Sequence, residues 1–173
     1  MTPTRILRRQ AGLTLIETLV ALSIFALVVG GALALFGSAS SSQNTTQFAS
    51  DLNAIRAATK TLYFGQGGYG TAALNDVLAN GKKVPTTMVL GTGSPRPINH
   101  SLNGTITVTG KTARFTVTAT NIPTDVCIGL ATMNGWDSVA INGQAARVPP
   151  VSTSQASTDC AGATAPTMVF TSS

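Results

Sequence analysis

Charge is scarce in this sequence. Of its 173 residues only 10% are Asp, Glu, Lys or Arg, against about a quarter in an average soluble domain. No large net charge accompanies this scarcity, so the 17 glycines and many serines and threonines do not make a disordered chain. They suit a surface that neighbours will cover. Histidine occurs once, as His100. That excludes a multi-histidine metal site and weighs against a histidine-dependent triad; in a Pro- and Asn-rich loop, His100 reads as a solvated side chain. The acids Asp76, Asp125, Asp137 and Asp159 stand singly, with no calcium-loop spacing. Gly65 to Gly70 follows a helical pattern rather than a strand, so it is no phosphate cradle. No catalytic constellation, metal site or cofactor motif emerges. Asn44-Thr45-Thr46 and Asn99-His100-Ser101 fit the glycosylation sequon, a match too frequent by chance to carry weight.

What charge there is gathers at the start. The formal net charge is +5, but Arg5, Arg8 and Arg9 all precede Gly12. Without those three, eight basic residues face six acids, a balance of +2. The pI of about 9.8 is therefore largely a property of the N-terminus, and no basic run offers itself to nucleic acid. The 43% of hydrophobic residues is enough for one membrane or packing helix and one modest globular domain.

Leu13 to Phe36 is apolar except for Thr14, Glu17, Thr18 and Ser23. A stretch of about 20 such residues spans a hydrocarbon core as a helix, and arginines before it place the N-terminus in the cytoplasm. Two features oppose an ordinary secretory signal. Its apolar core is about 7–15 residues, and its small cleavage-site residue follows that core instead of preceding it. Glu17 decides what the segment is for. A carboxylate in an apolar membrane helix costs about 2–3 kcal/mol at depth. Cleavage between Gly12 and Leu13 would leave a free α-amine one helical turn from Glu17, and in a bundle of such helices the carboxylate could pair with its own or a neighbour's amine. The bland alternative is an interfacial acid that snorkels to the headgroups. Cys127 and Cys160, an even pair in an exported chain, read as a disulfide, with two unrelated buried thiols as the alternative. A bridge would stabilise the fold by about 3–4 kcal/mol.

Ala11-Gly12-Leu13-Thr14-Leu15-Ile16-Glu17 resembles the prepilin leader junction of type IV pilins: a glycine, an apolar first mature residue, a glutamate at the fifth mature position, then an apolar stretch. The resemblance implies that a membrane-embedded prepilin peptidase cuts after Gly12 and methylates the new terminus at Leu13. Leu13, in place of the phenylalanine common in the type IVa group, leans towards type IVb. Residues 1–12 are then a leader and residues 13–64 one long helix, about 75 Å at 1.5 Å per residue. Phe48, Leu52, Ile55, Thr59 and Leu62 mark one face of its second half. Asp51, Arg56 and Lys60 fall mainly elsewhere.

Residues 65–173 form the globular head. The pattern predicts a short helix within Tyr69–Asn80, then a Gly-, Pro- and Thr-rich loop after Val84-Pro85. A hairpin follows, Thr105–Val108 with Phe115–Thr118, around Gly110-Lys111. A helix over Thr124–Thr132 carries Cys127, with Pro123 as its first residue. Next come a strand over Trp136–Ile141, a turn at Asn142-Gly143, a helical turn near Ser154–Cys160 and a last strand over Thr167–Thr171. The order of Tyr69-Gly70, Lys83-Val84-Pro85, Gly104 to Val108, Phe115 to Val117, Asn121-Ile122-Pro123 and Cys127 resembles the type IVb thin-pilus pilins of conjugative plasmids and their chromosomal relatives. That likeness implies an α+β pilin fold, an antiparallel sheet on the second half of the long helix, with the C-terminal region stapled by Cys127–Cys160. It implies a structural subunit, a major pilin, and not an enzyme. Its partners would be copies of itself, the prepilin peptidase, the inner-membrane assembly machinery and the inner membrane before assembly. The pilus would serve surface adhesion, aggregation or conjugation. A minor pilin or a type II secretion pseudopilin shares the leader, and a single-pass anchored binding domain is a remoter reading that tolerates loss of Glu17.

Overall fold

The computed structural model describes residues 14–173, apart from the side chains at 34 and 36–39. It divides after Ser40 into two compact units. One helix, α1 (Leu15–Leu62), contributes to both. In the first unit it begins at Thr14, whose carbonyl and hydroxyl oxygens accept from the Glu17 N–H at 3.0 and 3.4 Å. That caps a donor which would otherwise lack a partner. The hydroxyls of Thr18 and Ser23 donate back to the Leu15 and Leu19 carbonyls, both at 2.8 Å, so neither asks anything of an apolar surrounding. The helix runs without a break through Gly30-Gly31, where small side chains cost helix propensity but leave room for a neighbouring helix.

The second unit is the head together with the rest of α1. Phe48, Leu52, Ile55 and Thr59 are at most 1% exposed, the spacing that places them on one face. Phe48, Leu52 and Ile55 lie in one core with a six-stranded antiparallel sheet, ordered β1-β2-β3-β4-β6-β5. Its strands are β1 (Val89–Leu90), β2 (Ile98–His100), β3 (Gly104–Lys111), β4 (Arg114–Ala119), β5 (Ser138–Ile141) and β6 (Met168–Ser172). Alternate residues turn inward: Ile106 and Val108, Phe115 and Val117, Met168 and Phe170. Each such side chain contributes about 1.5–3 kcal/mol by leaving water. Three short helices complete the unit: α2 (Asn75–Asn80), α3 (Thr124–Ala131) and α4 (Thr153–Cys160).

Several expectations shift in detail. Helix α2 begins only at Asn75, because Ala73 bridges to Thr109 and the Leu74 N–H donates to the Val108 carbonyl at 2.8 Å. The hairpin turns at Thr112-Ala113, two residues beyond Gly110-Lys111. Gly110 has another role: a Cβ there would lie 2.2 Å from the Tyr69 carbonyl oxygen, so only glycine lets that segment cross. Pro123 caps α3 instead of being its first residue. The loop after Pro85 holds two strands, β1 and β2, each too short to show a period.

Candidate functional site

The first unit presents an apolar helix whose described large side chains are exposed within that unit. Leu15–Leu33 has a mean hydropathy of 2.2 and the length and composition to cross a membrane. Its large side chains stand open, Leu15 at 79%, Phe25 at 66% and Leu27 at 78% exposure. A surface of this kind is stable only in lipid or against other helices. Glu17 sits in its first turn. Among the described residues its carboxylate makes no hydrogen bond. Gly12 and Leu13, the expected cleavage and methylation residues, lie outside the described residues. Thr14 was not singled out by sequence reasoning. The signal was present, since Thr14 followed three residues later by Glu17 is the spacing of a capping box.

In the second unit α3 and α4 bring Cys127 and Cys160 together, both fully buried, with 2.00 Å between sulfurs. Helix α3 is anchored at both ends. The Ser41 hydroxyl of α1 donates to Asp125 in its first turn, and this bond holds the Asp125 carboxyl below its ordinary value. At the other end the Val151 N–H donates to the Ala131 carbonyl at 3.0 Å. Helix α4 starts at Ser152, whose hydroxyl accepts from the Gln155 N–H. Its Asp159 carboxyl takes Arg147 at 2.6 Å and Gln155 at 2.9 Å, and the Arg147 bond first, then Gln155, lowers its pKa. Asn142 links the region to the sheet, donating to the Asp159 carbonyl and accepting from the Thr167 N–H, both at 3.0 Å. The staple therefore fixes a surface of loops and short helices, not a pocket with reactive groups.

Other polar residues prove structural. Asn75, 1% exposed, donates to the Arg96 and Ile106 carbonyls and accepts from the Val108 N–H at 2.7 Å, tying α2 to β3. No sequence signal distinguishes it. Asp76 accepts from Arg96, which lowers its pKa. His100, expected in solvent, is 5% exposed with its ring 4.7 Å from that of Phe48. Its Nδ1 accepts from the Leu102 N–H and its Nε2 donates to the Thr120 carbonyl at 3.0 Å, and burial lowers its pKa. Asp51, expected off the buried face, is 6% exposed and accepts from Gln47 at 3.0 Å. Among the described residues no cluster of His, Cys, Asp or Glu could hold a metal ion.

Solved structures share this fold. One is the type IVb pilin of Salmonella typhi, at 21% identity and a TM-score of 0.59, covering 70% of this chain and 95% of that one. Another is TcpA, a type IV pilin of the Vibrio cholerae El Tor biotype, at 16% identity and a TM-score of 0.55, covering 76% and 99%. At those identities the likeness concerns the fold. No curated protein matches the chain significantly. Family models reach further: the prokaryotic N-terminal methylation motif matches residues 7–33, and the PilS N-terminal family matches residues 42–173. The chain belongs to the PilS family of type IVb pilins. A pilin is a structural subunit, not an enzyme, and the features above fit that role. The pilin's head has a satisfied polar interior, and its apolar helix carries one acid in the first turn.

Proposed function

We propose that this pilin is the major subunit of a type IVb pilus. A prepilin peptidase cuts after Gly12 and methylates Leu13, the mature chain waits in the inner membrane, and assembly machinery moves it into an extracellular filament. The observation that carries this reading is the uncovered apolar segment Leu15–Leu33 with Glu17 in its first turn, inside a match to the N-terminal methylation motif. Lipid covers that surface in the stored subunit, and neighbouring copies of the same helix cover it in the filament. Leaving lipid for a helix bundle exchanges one apolar surrounding for another, so the apolar face alone gives little direction to assembly. The Glu17 carboxylate supplies the direction, because a neighbour's terminal amine satisfies it and lipid does not.

The test is where the subunit is found. In cells with the prepilin peptidase, shearing should release the pilin in filaments from the cell surface. Without the peptidase it should remain in the membrane, about twelve residues heavier, with the charge of its leader retained. A subunit that stays in the membrane in both strains would sink the polymer reading and leave an anchored binding domain.

A further inference from the structure

The fold gathers cations that the sequence scatters. Eight basic residues follow the leader. Arg96 pairs with Asp76, Arg147 pairs with Asp159, and Arg56 lies over the Trp136 ring, 5.4 Å from its centroid. The other five, Lys60, Lys82, Lys83, Lys111 and Arg114, form no salt bridge among the described residues. Four of them are exposed, and Lys60 is half-buried.

These five share one end of the head. In the head, α1 runs from Phe48, beside His100, to Leu62, and the next residue, Tyr63, has its ring 5.5 Å from that of Tyr69. Tyr69 in turn lies 4.9 Å from Phe115 at the start of β4. The end of α1 and the turn of the β3–β4 hairpin are thus neighbours. Lys60 is in the last turn of α1. Lys111 and Arg114 face each other across the hairpin, whose tip exchanges hydrogen bonds with Tyr69 and Gly70, both at 2.7 Å. Lys82 and Lys83 follow Gly81, which packs against Leu62. Phe64, 91% exposed, stands one helical turn beyond Lys60.

Acids do not balance this end. Asp51 is buried, Asp76 and Asp159 are in ion pairs, and Asp125 holds Ser41. Asp137, which accepts from the Ser173 N–H at 2.7 Å, is the one the sheet brings near Arg114. A second copy of this head therefore offers two aspartates outside ion pairs and core, too few to match five cations.

We propose that this end of the head binds an acidic polysaccharide, a polymer of sulfated or carboxylated sugars. Four of the five cations are lysines, compact charges on flexible stems that accept sulfate or carboxylate groups at varied spacings. They come from separate segments and make a broad field of one sign, which raises the local concentration of a polyanion. The Phe64 ring gives the apolar face of a sugar ring something to lie on, and Thr61 and Thr112 are exposed to its hydroxyls. A single-stranded nucleic acid would instead want successive stacking aromatics along a groove, and one exposed ring does not supply them. The surface belongs to the folded head and does not depend on polymerisation.

The test uses the full chain in non-ionic detergent, with Arg5, Arg8 and Arg9 changed to Gln in every version so that the leader adds no charge. The probes are heparin, polygalacturonate, uncharged dextran and a single-stranded oligonucleotide matched in charge. The chain should bind heparin and polygalacturonate in a salt-sensitive way and ignore dextran. Lys82→Gln, Lys83→Gln, Lys111→Gln and Arg114→Gln together should weaken binding by about tenfold or more. Lysine-to-arginine changes at the three lysines should retain it, and Phe64→Ala should weaken it with the salt dependence unchanged. Three results would each overturn the proposal: failure to bind either polyanion, equal binding by the quadruple variant, or tighter binding of the oligonucleotide.

Discussion

Glu17 is the one ionisable acid or base between the leader arginines and Asp51, so its cost in lipid is borne by nothing nearby in the chain. Glu17→Gln separates assembly from folding. The head's core, the staple and the polar ties at Asn75 and Asn142 involve no residue of the apolar segment, so cleavage, insertion and head folding should be unchanged. Removing one side of a buried pair costs about 3–5 kcal/mol, because the other charge is left uncompensated. Repeated at every subunit, that loss should abolish filaments while mature pilin accumulates in the membrane. Blots of sheared and membrane fractions check it, and normal filament yield would make Glu17 only an interfacial acid. His100 makes a different prediction. The Leu102 N–H can only donate and the Thr120 carbonyl can only accept, so the neutral ring with its proton on Nε2 fits and the doubly protonated ring does not. Burial lowers its pKa from the ordinary 6.5. The folded head therefore binds fewer protons than the unfolded chain just below that value. The stability His100 contributes is complete above pH 6.5 and is lost as the pH falls towards the lowered native pKa. Urea midpoints of the full chain in detergent should fall between pH 7.5 and pH 5, and His100→Gln should flatten that fall. The aspartates with lowered pKa values, Asp76, Asp125 and Asp159, act in a lower, separate pH window.

Among the elements, α1 was the most legible, because a bare apolar run and a repeating face are long-range patterns that a linear sequence displays. The central hairpin was legible through its alternation, though not its turn. Gly110 looks like a turn residue and is there so that Tyr69 can cross the strand. Strands β1 and β2 were not legible: two and three residues carry no period, and they exist because β3 offers an edge to pair with. The Ala72-Ala73-Leu74 stretch favours helix locally, yet pairing with Val108 and Thr109 overrides it. His100 and Asp51 were misplaced for a related reason, since burial is decided by segments far away in sequence. The pairing of α3 with α4 carries the element-scale prediction. Cys127→Ser or Cys160→Ser opens a loop of 33 residues and should lower head stability by about 3–4 kcal/mol. Denaturant titration of the oxidised wild type beside either variant measures this, and the N-terminal helix should insert into membranes in all of them.

At the scale of the whole molecule, two units with different demands share one chain. The first is apolar, holds the Thr18 and Ser23 hydroxyls to its own backbone and carries a single acid. The second closes its own core around a sheet and leaves its spare charges on the surface. That division is what a subunit needs if it must live first in lipid and then in a polymer, with its head folded throughout. On the cleavage proposed after Gly12, twelve residues carrying Arg5, Arg8 and Arg9 would be removed, and that one covalent event would free a helix that three preceding cations hold at the cytoplasmic face. The most direct test is the mass of the N-terminal peptide from pilin in filaments sheared off the cell surface. A peptide beginning at N-methylated Leu13 is the result expected. A subunit that still begins at Met1, or one cut beyond Phe36, would contradict the account.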